Sequence, residues 1–372
     1  MGAAKRPCAA DYGTRDLSRK RPSPAPRRVA LALDALRHGW PIRVGRGPVL
    51  LPAETGFAPG VTAPRMLISA ARAVTLKLAN QREAAIPEAP VLIRAADPFD
   101  LETARAVADP ALDLRYPMKG PFAAEHIDDP EAARTAMELA RLAGILPAFL
   151  VAPEMDGDVQ DVSSEDLAGW KDTSRLAIAS RARLPVAACE DTEIVAFRSI
   201  DDLREHVALV IGAQAGERAP LVRLHSECLT GDILGSLKCD CGPQLDASLH
   251  AMADEAGAGG WGVLLYMRQE GRGIGLINKL RAYRLQDQGF DTVDANNRLG
   301  LPTEARDFPT AARMLELLGV HAIRLMTNNP AKVAALEAVG VTVAERVPHS
   351  LPPNPHNERY LTTKRDRTGH IL

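Results

Sequence analysis

The stretch His225-Ser-Glu-Cys-Leu-Thr-Gly-Asp-Ile-Leu-Gly-Ser-Leu-Lys-Cys-Asp-Cys-Gly-Pro-Gln244 gathers three of the chain's five cysteines within fourteen positions. Cys228, Cys239 and Cys241 are spaced C-x10-C-x-C, so two thiols come from one tight turn and the third has to fold back against it. Three soft ligands suit Zn²⁺. A closed structural site needs a fourth ligand. No further cysteine lies downstream of Cys241, and His225 and His250 are the nearest histidines that can close the shell. If neither does, the fourth position holds water, which is the catalytic arrangement, and such water is acidified toward neutral pH. Three unliganded thiols in a core are the alternative. Cys239-Asp-Cys-Gly opposes it, because its polar neighbours and Gly242-Pro243 indicate a turn.

Outward from this cluster the pattern is strand, loop, helix. Leu221-Val-Arg-Leu224 reads as a strand running into the cysteines, preceded by another at His206 to Ile211. A helix from Gln244 to Ala256 and a core strand, Gly262-Val-Leu-Leu-Tyr-Met267, follow. That strand exits into Arg268-Gln-Glu-Gly-Arg-Gly-Ile-Gly275, ahead of a helix from Leu276 to Gln288. Gly271, Gly273 and Gly275 free the backbone to approach a ligand, and Arg268 and Arg272 can contact phosphate oxygens. On its own this pattern is an ordinary turn; between a buried strand and a helix it is a phosphate cradle. A helix Thr310 to Leu318, a strand Ala322 to Met326 and Thr327-Asn-Asn-Pro-Ala-Lys332 opening a further helix complete the series. The polar run there serves equally as an N-cap. Such repeats predict an α/β domain over 185–372.

The 372 residues, 46% of them apolar, predict two packed cores rather than one. A net charge of −2 gives no global reason to expect a nucleic-acid or membrane partner. No apolar run approaches eighteen residues and the N-terminus lacks a secretory core, which predicts a soluble cytoplasmic protein. Clustered cysteines fit a reducing compartment with a metal site better than a disulfide framework. Residues 1–28 are basic and proline-spaced, a composition that predicts a disordered tail. From Val29 to His38 the spacing is helical, a short strand follows Pro41, and Ala70 to Leu78 is again helical. Pro130 to Gly144 has an acidic first turn and a terminal glycine, the marks of a helix, and Ala148-Phe-Leu-Val-Ala152 reads as a buried strand. Residues 156–165 read as an acidic surface loop, Glu165 to Ala182 as a helix, and 352–372 as a polar tail over the surface. This predicts an α+β domain over 29–184.

Four motifs in register, Arg-Leu-His-Ser-Glu-Cys-Leu-Thr-Gly-Asp, Lys-Cys-Asp-Cys-Gly-Pro-Gln-Leu, Arg-Gln-Glu-Gly-Arg-Gly-Ile-Gly-Leu and Thr-Asn-Asn-Pro, resemble GTP cyclohydrolase II, the first committed enzyme of riboflavin synthesis. The resemblance covers roughly 185–372. It implies one Zn²⁺ per chain on Cys228, Cys239 and Cys241, Mg²⁺ with the triphosphate, and a homodimer. It also implies GTP contacts from Arg223, Leu224, His225, Ser226, Glu227, Gln244, Glu270, Gly271, Arg272, Thr292, Thr327 and Lys332. Glu270 would accept hydrogen bonds from guanine, and Tyr283 matches an active-site tyrosine. In Pro302-Thr-Glu-Ala-Arg-Asp-Phe308, Glu304 matches the family's proton acceptor and Arg306 an arginine proposed as nucleophile toward the α-phosphate. The family usually has Asp where Glu304 stands, one methylene shorter. The implied reaction uses a zinc-activated water at C8 of guanine and releases formate and pyrophosphate.

The first half resembles, more weakly, 3,4-dihydroxy-2-butanone 4-phosphate synthase, through the helix at 29–38, Leu51-Pro-Ala-Glu-Thr55 and the unit from Ala132 to Pro153. Where that family has an acidic metal-binding loop, this chain reads Val44-Gly-Arg-Gly-Pro48, which offers a hard cation nothing. His126 with Glu125 stands where that family keeps a basic histidine. A degenerate domain retained for packing is therefore expected ahead of the cyclohydrolase. The alternatives are a GTP-binding regulator that has lost turnover and a bifunctional riboflavin enzyme.

Overall fold

The structure, a computed structural model, describes residues 24–371 apart from 87, 153, 154, 156, 200, 201, 203 and 213–217. The basic run ahead of Pro24 lies outside the described residues. Helix α1 (Pro24–His38) starts five positions before the expected Val29. Then come β1 (Ile42–Val44), β2 (Val49–Pro52), β3 (Ala63–Ile68), α2 (Ala70–Thr75), β4 (Val91–Phe99) and α3 (Leu101–Ala108). β5 (Phe122–Glu125), α4 (Pro130–Ala143), β6 (Ala148–Ala152), β7 (Gln160–Val162) and α5 (Ser164–Trp170) complete the first unit. Its seven strands form one sheet in the order β5-β4-β3-β6-β2-β1-β7, antiparallel except for β1 beside β7. Part of the acidic run expected as a loop is thus an edge strand.

The strands alternate between two cores, as a period of two requires. Leu50, Leu67, Leu92, Phe149 and Val151 face α1, α4 and α5. Leu51, Met66, Ile68, Ile93 and Leu150 face the other way.

The helix expected over 165–182 forms only in its first part, as α5, and its second part is a strand. A capping box, Ser163 with Asp166, starts α5. After α5 the chain turns into a strand, β8 (Leu176–Arg183), that pairs antiparallel with β9 (Thr192–Ser199). Cross-strand pairing overrides the helical look of Leu176-Ala-Ile-Ala, and the second sheet begins at 176 rather than after 184. β10 (His206–Ile211), β11 (Leu221–Ser226), α6 (Cys241–Gly257), β12 (Gly262–Met267), a single turn α7 (Glu270–Gly273), α8 (Leu276–Asp287) and α9 (Thr292–Arg298) follow. α10 (Phe308–Leu317), β13 (Ala322–Met326), α11 (Pro330–Ala338), β14 (Thr342–Val347) and α12 (Glu358–Thr368) finish the chain. The strand order is β14-β13-β11-β12-β10-β9-β8, parallel from β14 to β12 and antiparallel beyond. Val222 and Leu224 face α10 and α11, while Leu221 faces α6. No helix among the described residues is long and apolar enough to cross a membrane.

The two units share a core. Ile274, Ala282, Leu285, Ala295, Leu299 and Leu301, carried by or next to α8 and α9, cluster with Leu51, Met66, Ile68 and Phe99 of the first sheet. Arg281 pairs with both oxygens of Glu54, at 2.8 and 3.0 Å, and Glu54 also accepts from Leu146 N. Arg141 Nη1 donates to Gly273 O at 2.7 Å. Leu285 is 1% exposed. Leu285→Ala is therefore expected to cost about 3 kcal/mol through lost burial and an unfilled cavity. Urea unfolding followed by tryptophan fluorescence should show the whole transition moving to lower denaturant, because both units lose the same contact.

Candidate active site

β11, β12 and β13 run parallel with β11 in the middle, and each ends in one of the motif loops. The chain leaves β11 for β12 on one side and β13 for β14 on the other, so their carboxyl ends flank a topological switch point, where open α/β sheets bind ligands. One cavity lies there.

At one end sit the cysteines. The sulfurs of Cys228, Cys239 and Cys241 lie within 4.8 Å of one another. Cys228 Sγ and Cys239 Sγ are 3.7 Å apart. Tetrahedral zinc with bonds of about 2.3 Å spaces its sulfurs by about 3.8 Å, so this donor set fits the ion. Cys228 ends β11's loop, whereas Cys239 and Cys241 flank the start of α6; a π-helical turn, Leu229–Ile233, bends the chain between them. A Cβ on Gly231 would lie 2.8 Å from Cys239 Sγ and 3.0 Å from Cys228 Sγ, so only glycine leaves the thiols room. Cys228 is pushed to a low pKa by hydrogen bonds with Cys239 and Cys241 and by Lys279, while Cys241, facing both other thiols, is pushed up.

Neither candidate histidine joins the sulfurs. His225, 3% exposed, directs Nε2 to Asp232 at 3.0 and 3.1 Å, and exposed His250 bonds its own helix at Asp246 O. The three-cysteine group therefore keeps a side open to the cavity. Asp232 also accepts from Cys228 N at 3.0 Å and Tyr266 OH at 2.9 Å, and the His225 and Tyr266 rings stack at 5.6 Å. Across the thiols, Lys279 Nζ lies 3.0 Å from Cys228 Sγ and 2.7 Å from Glu270 Oε1. Glu270 Oε2 accepts from Leu229 N at 2.8 Å. Glu270 thus holds the cysteine loop as well as lining the cavity. Gly271 and Arg272 both take left-handed backbone, with φ of 63° and 61°, a conformation costly for Arg272. Gly273 approaches the backbone of Ala305 rather than open space, since a Cβ there would lie 2.3 Å from Ala305 O.

The other end is cationic. Arg223, inward beside β13, donates from Nη1 to Met326 O at 3.1 Å and from Nη2 to Gln244 Oε1 at 2.5 Å. Its buried Nε has no partner. Burial lowers its pKa to about 10. Lys332, 8% exposed, donates to the Leu224 carbonyl at 3.1 Å, and burial, then Arg306 and Arg223, push its amine well below the ordinary lysine range. Two buried cations with neutral partners form a site that an anion stabilises. Thr327 Oγ1 accepts from Asn329 N, and Asn329 caps α11. Arg306 Nε bonds Glu304 Oε1 at 2.7 Å and Oε2 at 2.9 Å. Burial pushes the Glu304 carboxyl up, but these bonds and the Arg306 charge prevail and lower it.

Every GTP-binding, catalytic and metal-ligating residue that the resemblance implies lines this cavity except Glu304, while Arg268, named from the glycine loop, lies outside the lining and pairs with Glu227. Glu304 is exposed and borders a groove toward Ser69 and Arg141 of the first unit, reaching the cavity only through Arg306. Thr292 stands at the start of α9, where its hydroxyl accepts from Gln286. Sequence reading missed Lys279, Asp232 and α12. Lys279 was findable, one turn before Tyr283 on the same helix face. The tail expected on the surface instead brings Tyr360, Lys364 and His370 to the cavity.

The family description "GTP cyclohydrolase II" matches residues 177–348. A GTP cyclohydrolase-2 of Azospirillum brasilense is 43% identical over 323 residues, covering 83% of this chain and 82% of that one. The riboflavin biosynthesis protein RibBA of Nocardia farcinica is 48% identical over 265 residues, 65% of this chain and 63% of its own length. The chain thus spans about three fifths of such relatives. A crystal structure of RibBX, a two-domain 3,4-dihydroxy-2-butanone 4-phosphate synthase from A. baumannii, overlaps 87% of this chain and 100% of that one at 17% identity, with a TM-score of 0.29, too loose to carry an argument.

Proposed function

The chain belongs to the GTP cyclohydrolase II family, and from that membership we propose that its cavity binds GTP, opens the guanine imidazole ring and releases formate and pyrophosphate. The remaining product is 2,5-diamino-6-(5-phosphoribosylamino)pyrimidin-4-one, the start of riboflavin biosynthesis. The observation that carries this reading is one cavity holding three convergent thiols and, beyond them, buried Arg223 and Lys332 without anionic partners. One Zn²⁺ on Cys228, Cys239 and Cys241 would supply an acidified water for attack on C8. Asp232 and Glu270 fix the loop that carries Cys228. Lys279 offsets the negative charge of the thiolates. Arg223, Lys332 and Arg306 take the triphosphate, with Mg²⁺ arriving on its oxygens. Arg306, held at both oxygens by Glu304, acts as an electrostatic clamp on charge developing at phosphorus.

Incubation with GTP and Mg²⁺ tests this directly: formate and pyrophosphate should appear in equal amounts. The orientation of Glu304 away from the cavity favours one second reading, a GTP-binding regulator without turnover. Tight GTP binding with neither product would establish that reading instead.

The first unit supports no synthase chemistry. Gly45 to Pro48 form the β1–β2 hairpin without a carboxylate, and Glu54 is engaged by Arg281. Glu125 pairs with Arg94, and His126 is 75% exposed beside Glu83. Ribulose 5-phosphate is expected to remain unconverted at any Mg²⁺ concentration, as NMR of the sugar phosphate would reveal; accumulation of the butanone phosphate would overturn this.

A further inference from the structure

Helix α12 is fastened beside the cavity at three points. Lys364 Nζ donates to Asp240 Oδ1 and Oδ2 at 2.8 and 3.1 Å, on the residue between Cys239 and Cys241. Arg367 pairs with Asp291, which caps α9, and with Asp294 of α9. Ile371 N donates to Asn328 O at 2.8 Å, just past β13. Gly369, at φ 67°, ends the helix and turns His370 toward the cavity.

We propose that Lys364 is a further substrate-binding residue, delivered by α12 to the phosphate chain of GTP beside Arg223, Arg272, Arg306 and Lys332. The inference rests on the reading of this cavity as a GTP site. Within the cavity those five cations face one carboxylate, that of Asp240, and Glu304 offsets Arg306 alone from outside it. The other charged groups lining the cavity are already paired, Lys279 with Glu270 and Glu227 with Arg268. The Lys364 side chain is 12% exposed, so the excess positive charge is poorly screened by water. Its effect reaches neighbours: Lys364 contributes to the lowering of Lys332, and His370 lies at about 4 through burial first and then Lys364, Arg272, Lys332 and Arg306. A clip that only fastened a helix to Asp240 gains nothing from lying among four other cations. A polyanion in their midst turns that repulsion into attraction.

The test uses the full chain with its metal. Lys364→Met should raise KM for GTP about tenfold or more, the loss of one charge-assisted contact, with a smaller change in kcat. Inorganic tripolyphosphate should inhibit this variant about tenfold more weakly, whereas inhibition by guanosine and the zinc content stay at wild-type values. Lys364→Arg should recover most of the affinity. Arg367→Glu, which loosens the helix from α9 at an exposed position, should raise the tripolyphosphate constant in the same direction. Unchanged tripolyphosphate inhibition in Lys364→Met would overturn the proposal, as would equal weakening of guanosine and tripolyphosphate together with loss of zinc, the pattern of a residue that merely supports the cysteine turn. Protection of the wild-type protein from thermal unfolding by tripolyphosphate needs no turnover. Failure of the cyclohydrolase reading would show in absent formate, and failure of this inference in unchanged protection by tripolyphosphate on Lys364→Met.

Discussion

Cys239→Ser is expected to lower GTP turnover by at least about a thousandfold and to remove most of the bound zinc. Cys239 is buried, with its sulfur 3.7 Å from that of Cys228, and its geometry leaves no nearby residue to replace it as a ligand. Among the described residues the three cysteines are the only grouping of Cys, His, Asp or Glu suited to a metal. A serine hydroxyl is a hard donor that stays protonated near neutral pH, so the substitution exchanges a thiolate bond for a weak one. Formate release and metal analysis should fall together. Cys189, outside the cluster in the turn before β9, provides the control, and Cys189→Ser should leave both at wild-type values. Full zinc with full activity in Cys239→Ser would sink the assignment of the site.

Arg306→Ala is expected to lower kcat by about a hundredfold to a thousandfold while KM for GTP changes by only a few fold. The asymmetry follows from its position. Arg223 and Lys332 are deeper, lack anionic partners and supply ground-state attraction for the triphosphate. Arg306 is already compensated by Glu304, so its added value appears when charge grows at phosphorus. Glu304→Gln keeps the shape but removes the charge that fixes the guanidinium, and kcat should fall about tenfold. Glu304→Asp keeps the charge on a shorter stem and should fall less. The lowered carboxyl of Glu304 is ionised at neutral pH, so its hold on Arg306 is present above the ordinary carboxylate range and is lost as pH falls through the lowered value. A proton acceptor facing the substrate would behave differently: Glu304→Gln would then lower kcat at least as much as Arg306→Ala. Stopped-flow measurement of formate release on the three variants decides between them.

The site was legible where its chemistry is local. Three cysteines in fourteen positions and a glycine-arginine loop between strand and helix are compressed signals, and the structure brings them to one cavity. What sequence reading misplaced depends on distant partners. Leu176 to Arg183 has enough alanine and arginine to look helical, and only β9, with which it pairs, makes it a strand. Gln160 to Val162 carries too few apolar residues to announce an edge strand beside β1. Glu304 has the role of proton acceptor only through the family resemblance, since its local pattern is that of a polar helix start, and the side chain is held by Arg306 two residues on. The tail, with Arg365 and Asp366 side by side, shows no amphipathic stripe. Its place is fixed by ion pairs to Asp240, Asp291 and Asp294 that no local pattern encodes.

The core common to the two units bears on how such a chain can change over generations. The β1–β2 hairpin of the first unit carries no carboxylate from Gly45 to Pro48. Yet Leu51, Met66 and Phe99 cover Leu285 and Leu299, and Arg141 holds the carbonyl of Gly273 beside the arginine loop. A deletion that stripped away the first unit would expose the back of the catalytic unit to water and unhook that loop at once. No gradual series of small losses leads there, because each lost contact destabilises the surviving enzyme. The first unit thus acts as a brace for the second, and the residues that touch its neighbour are the ones that the stability of the whole chain holds in place.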